Sequence, residues 1–187
     1  LVAMICHVLA ARNSWQSIAL QTETGMWAYI GGRILDGALP YRDLWESKPP
    51  GIYYTFAALE GLFGRGGDRP FRFLDAALSL AILTATYRLA RRHARPITSA
   101  ACALACSIVL CHRVLADWGC NVEKFVALFE VLALGFVLDG LDRPRKSRWF
   151  IAGICFAFAM LFKQTGVTLA LVTIAWLLAH RRNRPGV

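Results

Sequence analysis

The chain has 187 residues, of which 57% are hydrophobic, and carries a formal net charge of +9. Its mean hydropathy of +0.46 is too high for an ordinary soluble domain of this length. The basic residues form no continuous stripe, which argues against a nucleic-acid-binding protein. They lie in short clusters between apolar runs, and this pattern predicts an all-α, polytopic transmembrane protein.

The apolar runs predict where membrane helices lie. The longer runs cover 73–90, 96–116, 125–141 and 149–179. The last exceeds the roughly 20 residues of one span, and Lys163-Gln164-Thr165-Gly166 interrupts it, so we divide it into 149–162 and 165–179. The first run, 1–11, is only half a span, so we expect the chain to be a piece of a larger protein.

The short run 52–63 decides the topology, because it is either a crossing helix or a membrane-surface or re-entrant helix. If it does not cross, three basic clusters share one side, which the positive-inside rule makes cytoplasmic. These clusters lie at 88–95, 143–148 and 181–184. If it crosses, the first two clusters become external. We therefore prefer an outer loop over 12–71 that carries juxtamembrane helices, followed by transmembrane helices over 72–187.

Polar motifs lie on the outer side of this arrangement. The loop contains Glu23-Thr-Gly-Met-Trp-Ala-Tyr-Ile, Arg33-Ile-Leu-Asp-Gly, Pro40-Tyr-Arg-Asp-Leu-Trp and Lys48-Pro-Pro-Gly-Ile-Tyr, and later segments contain Asn121-Val-Glu123 and Phe162-Lys-Gln-Thr165. In this order the motifs resemble those of C-type (GT-C) integral-membrane glycosyltransferases. The most similar branch is bacterial and includes protein O-mannosyltransferases, lipid A aminoarabinose transferases and galacturonic acid transferases.

The resemblance implies an activity and a location. Such enzymes move a sugar from a polyprenyl-phosphate carrier to an envelope lipid, glycan or protein acceptor. The chain would be the N-terminal catalytic part of such an enzyme in a bacterial plasma membrane, with its active face periplasmic or extracellular. Without a glycine-rich nucleotide loop in the sequence, a sugar-nucleotide donor is unsupported.

Glu23 is the candidate catalytic base, since a carboxylate in a partly buried outer loop can accept the proton of an acceptor hydroxyl. The alternative is that Glu23 caps a helix predicted over 26–35, because an acid favours a helix N-terminus. The resembled family usually has Asp here, followed by Glu or Ser where this chain has Thr24. Either Glu23 still serves as the base, or the site is altered.

Three further charged residues are candidates for substrate binding. Lys48 precedes a rigid Pro-Pro step and suits a lipid phosphate, unless it only extends to lipid headgroups. Glu123 begins a predicted span, where an acid can hold a divalent cation, orient an acceptor or cap the helix. Lys163 interrupts an apolar run and either binds a phosphate or acidic sugar, or lies in a simple turn.

Other loop residues have two readings. Tyr29 and the neighbouring aromatic residues line a substrate groove or form an interfacial belt. Arg42 and Asp43 contact substrate, or they pair with each other and set the 40–43 turn. Glu130, inside a predicted span, is a functional acid or the partner of a neighbouring helix. The histidines and cysteines show no metal-ligand spacing, so no metal site and no certain cofactor are predicted.

Two other functions remain open at this point. A transporter or flippase of lipid-linked precursors also needs charged residues inside the membrane. An inverted repeat of the short broken helices would favour transport, and the sequence shows none. A non-catalytic relative of the glycosyltransferases is the third reading. In each case we expect a lipid bilayer and a lipid-linked sugar, and no nucleic acid, as the partners.

Overall fold

The computed structural model describes residues 22–67, 69–111 and 120–182, and over these ranges it contains helices and no β-strand. The predicted all-α class is confirmed. The helices are α1 (Thr22–Leu35), α2 (Gly51–Phe63), α3 (Arg69–Ala90), α4 (Pro96–Cys111), α5 (Val122–Asp142), α6 (Lys146–Phe162) and α7 (Val167–Arg182). Parts of three predicted features lie outside the described ranges. They are the half-span at 1–11, the end of the apolar run at 112–116 and the end of the last basic cluster at 183–184.

Several helices begin before the segments that predicted them. Helix α1 begins at Thr22, four residues before the predicted start, and α3 begins at Arg69. Hydropathy marks the apolar middle of a helix, whereas backbone hydrogen bonding continues into polar turns at its ends. The predicted break is confirmed: Lys163 is extended, with φ −152° and ψ 137°, and a 3₁₀ turn over Gln164–Gly166 separates α6 from α7.

Among the described residues, α3 is the one helix that is long and apolar enough to cross a membrane by length and composition. The segments Pro96–Leu110 and Gln164–Ala179 are apolar but shorter. Helix α5 has 21 residues, but it carries Lys124, Glu130 and Asp139 along its length. The polytopic arrangement and the outer loop stay predictions.

Helices α3 and α5 lie side by side and run in the same direction. Near their N-terminal ends, the Lys124 Nζ lies 2.5 Å from Asp75 Oδ1, and near their C-terminal ends the Arg92 Nη2 lies 2.8 Å from Asp139 Oδ1. Lys124 is almost fully buried, with 4% of its side chain exposed. A buried cation needs such a partner, so this pair fixes the register of the two helices.

Helix α6 runs antiparallel to α5. Lys163, directly after α6, pairs with Glu123 at the start of α5, and Arg148 near the start of α6 lies 3.4 Å from Asp139 near the end of α5. The bundle therefore has two ends, which we call the Glu123 end and the Asp139 end. With a rise of 1.5 Å per residue, they are roughly 24 Å apart along α5.

Helix α2 stays at the Glu123 end. A Cβ added at Gly51 would lie 2.6 Å from the carbonyl oxygen of Leu161, so α2 begins against the end of α6. Phe56, in the middle of α2, stacks on Phe71 at the start of α3, with 4.6 Å between the ring centroids. Because both neighbours lie at that end, α2 does not lead the chain to the Asp139 end. Whether the run 52–63 crosses a membrane stays a prediction.

A buried apolar cluster holds the Glu123 end together. It combines side chains from α1, α2, α3, α5 and α6, including Trp27, Ile52, Phe56, Phe71, Val122, Phe125 and Phe162. Phe125 and Phe162 stack with their centroids 4.3 Å apart. Burial of such large side chains is worth about 1.5–3 kcal/mol each, so this cluster sets the position of the polar segments around it.

Candidate functional site

Three segments that are far apart in sequence meet at the Glu123 end. The Gln164 side chain donates a hydrogen bond from Nε2 to the carbonyl oxygen of Ser47, at 2.7 Å. The neighbouring Lys163 ammonium pairs with the Glu123 carboxylate. One polar surface is therefore formed by the break after α6, the start of α5 and the loop before α2. The segments that carry Lys48, Glu123 and Lys163 lie together, as predicted.

The backbone at Lys48 is held by two phenols. The hydroxyls of Tyr41 and Tyr53 both donate to the Lys48 carbonyl oxygen, at 2.7 and 3.1 Å. Pro49 and Pro50 then lead directly into α2 at Gly51. The Lys48 ammonium forms no ion pair with the described residues, and its side chain is half-buried. The loop thus fixes the backbone of Lys48 and leaves the charge of its ammonium group available to an anion.

Tyr41 occupies an uncommon backbone conformation, with φ +70°. Positive φ is costly for a bulky residue and is maintained only where the surroundings impose it. Here the Tyr41 amide donates to the Leu44 carbonyl at 2.9 Å, while its phenol reaches Lys48. The conformation turns the Tyr41 ring toward the Lys48 backbone, which indicates that this turn is built to hold that segment.

Glu23 lies in the first turn of α1, and its side chain is exposed. The side chain is thus exposed rather than partly buried as expected, and its position in the first turn agrees with the capping alternative; the role of Glu23 as base stays a prediction. One turn later, on the same face of α1, the fully buried Trp27 belongs to the cluster that also contains Val122. Glu23 consequently lies toward the Glu123 end, although no ion pair or hydrogen bond joins it to Lys48, Glu123 or Lys163 within the described ranges.

Arg42 and Asp43 form a two-pronged pair, with Nε–Oδ1 and Nη2–Oδ2 distances of 2.9 and 2.7 Å. Asp43 Oδ2 also accepts the Leu39 amide at 2.9 Å. The Arg42 hydrogen bond and then the Leu39 amide lower the pKa of Asp43 to about 2. The predicted pairing and turn are confirmed, and both side chains are engaged in shaping the loop; their contact with substrate stays a prediction.

The aromatic residues of the loop divide into two groups. Trp27 and Tyr53 are 0% and 1% exposed, so neither lines an open groove nor joins an interfacial belt. Sequence periodicity does not reveal that Trp27 and Tyr53 are buried, because tertiary packing decides which face of each helix is turned inward. Tyr29 and Trp45 are 62% and 94% exposed, which leaves them available to a substrate or to lipid.

Gly51 and Gln164 were not predicted as functional residues, whereas the two phenols belong to the aromatic residues that were expected to line a substrate groove or form an interfacial belt. The sequence placed Gln164 in the Phe162-Lys-Gln-Thr165 motif but held no signal for its contact with Ser47, which is 117 residues away. The Lys-Pro-Pro-Gly step does contain Gly51, but only the structure shows that its missing side chain lets α2 touch α6. Lys124, next to Glu123, was also passed over, since its buried partner Asp75 lies in another helix.

We expect Gly51→Ala to weaken the site and the fold together. The new Cβ would lie 2.6 Å from the Leu161 carbonyl oxygen, which is backbone and cannot rotate away. Overpacking of this kind typically costs about 1–3 kcal/mol. Thermal unfolding in detergent and sugar transfer measure the two effects.

Gly61→Ala in the same helix is the matched control. Its Cβ would meet Leu35 Cδ2 at an ordinary 3.5 Å. Replacing a glycine inside a helix by alanine stabilises the fold by about 0.5–1 kcal/mol, so this variant should be at least as stable as the parent. Equal melting temperatures and transfer rates for the two variants would contradict the close contact between α2 and α6.

No group of three or more His, Cys, Asp or Glu side chains that could hold a metal ion occurs in the part of the chain that the structure describes. Glu123 already has Lys163 as its partner. Glu130 is half-buried on α5 and has no ion-pair partner among the described residues, and both readings of this residue stay predictions.

Comparisons with known proteins agree with the motifs. No curated protein and no solved structure matches the chain. A family model, described as dolichyl-phosphate-mannose-protein mannosyltransferase, matches residues 47–185. The matched region includes Lys48, Glu123 and Lys163, whereas Glu23 precedes it. Because this match covers most of the sequence, the chain belongs to the dolichyl-phosphate-mannose-protein mannosyltransferase family, a family of C-type membrane glycosyltransferases.

Proposed function

We propose that the protein transfers a sugar from a polyprenyl-phosphate carrier to an acceptor at the outer face of a bacterial plasma membrane. The observation that carries this proposal is the meeting of the Lys48 loop, Glu123 and the Lys163 break at one end of the bundle. A donor of this kind presents a phosphate at the membrane surface and a prenyl chain within the bilayer. A polar surface beside apolar helices suits both parts.

The roles follow from charge and position. In the proposed reaction the acceptor oxygen forms a bond to the sugar C1, the C1–O bond to the carrier breaks, and the carrier leaves as its phosphate. Glu23 accepts the acceptor's proton as general base. Lys48 holds the negative charge on the leaving phosphate. The Lys163–Glu123 pair fixes the two segments that border the donor, and Glu123 orients the acceptor.

Exposed apolar side chains support the proposed membrane arrangement. Large hydrophobic residues point outward along α6 and α7, among them Phe150, Phe158, Leu171, Val172, Ile174 and Leu178. Contiguous exposed apolar surface is rare on soluble proteins and is expected where helices face lipid. Charged side chains gather instead at the helix ends, such as Arg92 and Arg148 at the Asp139 end.

The function is tested by incubating the protein in nanodiscs with a radiolabelled polyprenyl-phosphate mannose and with the matching diphosphate donor. We expect release of the polyprenyl phosphate together with labelled acceptor lipid, glycan or protein. The acceptors are supplied as an envelope extract. A protein that moves the intact lipid-linked sugar between leaflets of proteoliposomes, without cleaving it, would be the transporter of the alternative reading.

We expect opposite membrane sides for the Gly67 loop and for Ser147. Labelling of Gly67→Cys should require access from outside the cell, and labelling of Ser147→Cys access from the cytoplasm, because these residues belong to opposite ends of the bundle. Gly67 is suitable because its added Cβ meets only Pro70 Cδ at 3.9 Å, whereas the adjacent Gly66 has φ +81° and would strain a cysteine.

The control for labelling is the parent protein, since Cys102 is exposed and can react itself. Only the increase over the parent is counted for each variant. If the Gly67→Cys variant reacts solely with reagent supplied on the cytoplasmic side, the outer-loop assignment is wrong.

A further inference from the structure

A groove lies between α3 and α5 at the Asp139 end, far from the candidate site. It has a volume of about 200 Å³ and an apolar wall that includes Leu89, Val131, Leu132 and Phe136. Its floor is open at Gly135, where an added Cβ would meet nothing within 4 Å. The groove is thus a slot between helices that an extended hydrocarbon chain can enter.

The charged groups around the groove differ in their ion-pair partners. Arg92 pairs with Asp139 at 2.8 Å and donates from Nη1 to the Gly135 carbonyl oxygen at 3.1 Å, while Arg148 also approaches Asp139, at 3.4 Å. One carboxylate is therefore shared by two guanidinium groups. Arg88, which also lines the groove, is exposed and forms no ion pair with the described residues. A net positive charge faces the groove.

The surrounding sequence strengthens this field. Residues 88–95 and 139–148 together contain eight Lys or Arg residues and two Asp residues. Basic pockets between membrane helices attract anionic headgroups, and each cation near the surface contributes to that attraction. A soluble anion would satisfy Arg88 but would leave the apolar wall in water.

We propose that this groove binds one anionic phospholipid, with its phosphate at Arg88 and Arg92 and part of an acyl chain along the wall of α3 and α5. The lipid would brace the two helices at the end opposite the candidate site. This binding is separate from sugar transfer, because the part of α5 that lines the groove, Val131 to Asp139, lies roughly 12 to 24 Å along the helix from Glu123.

The test is a titration of the purified protein in detergent with phosphatidylglycerol, followed by native mass spectrometry to count bound lipids. We expect one tightly bound phosphatidylglycerol and much weaker binding of phosphatidylcholine. Arg88→Gln should weaken the first binding step by about fivefold, the effect of one surface cation. Gly135→Leu should weaken it as well, because the new side chain extends from a position where its Cβ meets nothing within 4 Å and occupies part of the groove.

Arg143→Gln is the control, since it removes an equal, exposed charge in the same cluster but outside the groove. This variant should bind phosphatidylglycerol like the parent. Equal loss in Arg88→Gln and Arg143→Gln would mean diffuse attraction and would overturn the proposal. So would displacement of the lipid by millimolar inorganic phosphate, or parental binding in Gly135→Leu. Melting temperatures measured without lipid show whether each variant is folded.

Discussion

Glu23→Gln is expected to lower sugar transfer by about 10²- to 10⁴-fold while leaving donor binding near the parental value. Glutamine keeps the shape of the side chain but cannot accept the acceptor's proton. Glu23→Asp should retain or raise activity, since Asp is usual at this position in the resembled glycosyltransferases. Transfer from radiolabelled polyprenyl-phosphate sugar, with donor binding measured separately, gives both quantities.

The same experiment separates catalysis from helix capping. An acid in the first turn of a helix contributes about 0.3–1 kcal/mol through the helix dipole, so a capping Glu23 would change the melting temperature slightly and leave the rate intact. Asp142→Asn, in an exposed position at the other end of the bundle, is the control for loss of a carboxylate. Parental transfer by Glu23→Gln would show that Glu23 is not the base.

Lys48→Ala is expected to weaken donor binding and slow transfer together. A hydrogen bond to a charged group is worth about 1.5–3 kcal/mol, which corresponds to roughly 10- to 150-fold. Lys48→Arg should rescue only in part, because a planar guanidinium replaces a compact ammonium at the end of a backbone that Tyr41 and Tyr53 hold in place. Donor affinity and transfer rate are measured on the same preparations.

Lys146→Ala, at the Asp139 end, controls for loss of one positive charge. A Lys48 that only reaches lipid headgroups would tolerate Arg fully and Ala with little loss. Tyr53→Phe adds a finer test, since it removes one of the two hydrogen bonds to the Lys48 carbonyl and keeps the Lys48 charge. Near-parental affinity and rate in Lys48→Ala would remove the phosphate role.

A large part of the helical framework was predictable because it depends on local properties. Apolar runs marked the middle of every described helix except α1, and the polar Lys163-Gln164 step marked the break between α6 and α7. The local pairing of Arg42 with Asp43 was also accessible, because adjacent residues in a turn meet regardless of the rest of the fold. The family itself was accessible, since its motifs are continuous stretches of sequence.

The polar segments around the candidate site were predictable, but their geometry was not, and the roles of their residues stay predictions. The sequence determined that Lys48, Glu123 and Lys163 lie in polar breaks between apolar segments. Only the tertiary structure decided that Lys163 pairs with Glu123, that Gln164 reaches Ser47, and that Trp27 is buried while Tyr29 is exposed. The physical reason is that such contacts join residues far apart in the chain. Their partners are selected when the apolar faces of several helices pack together, and no local pattern records that choice.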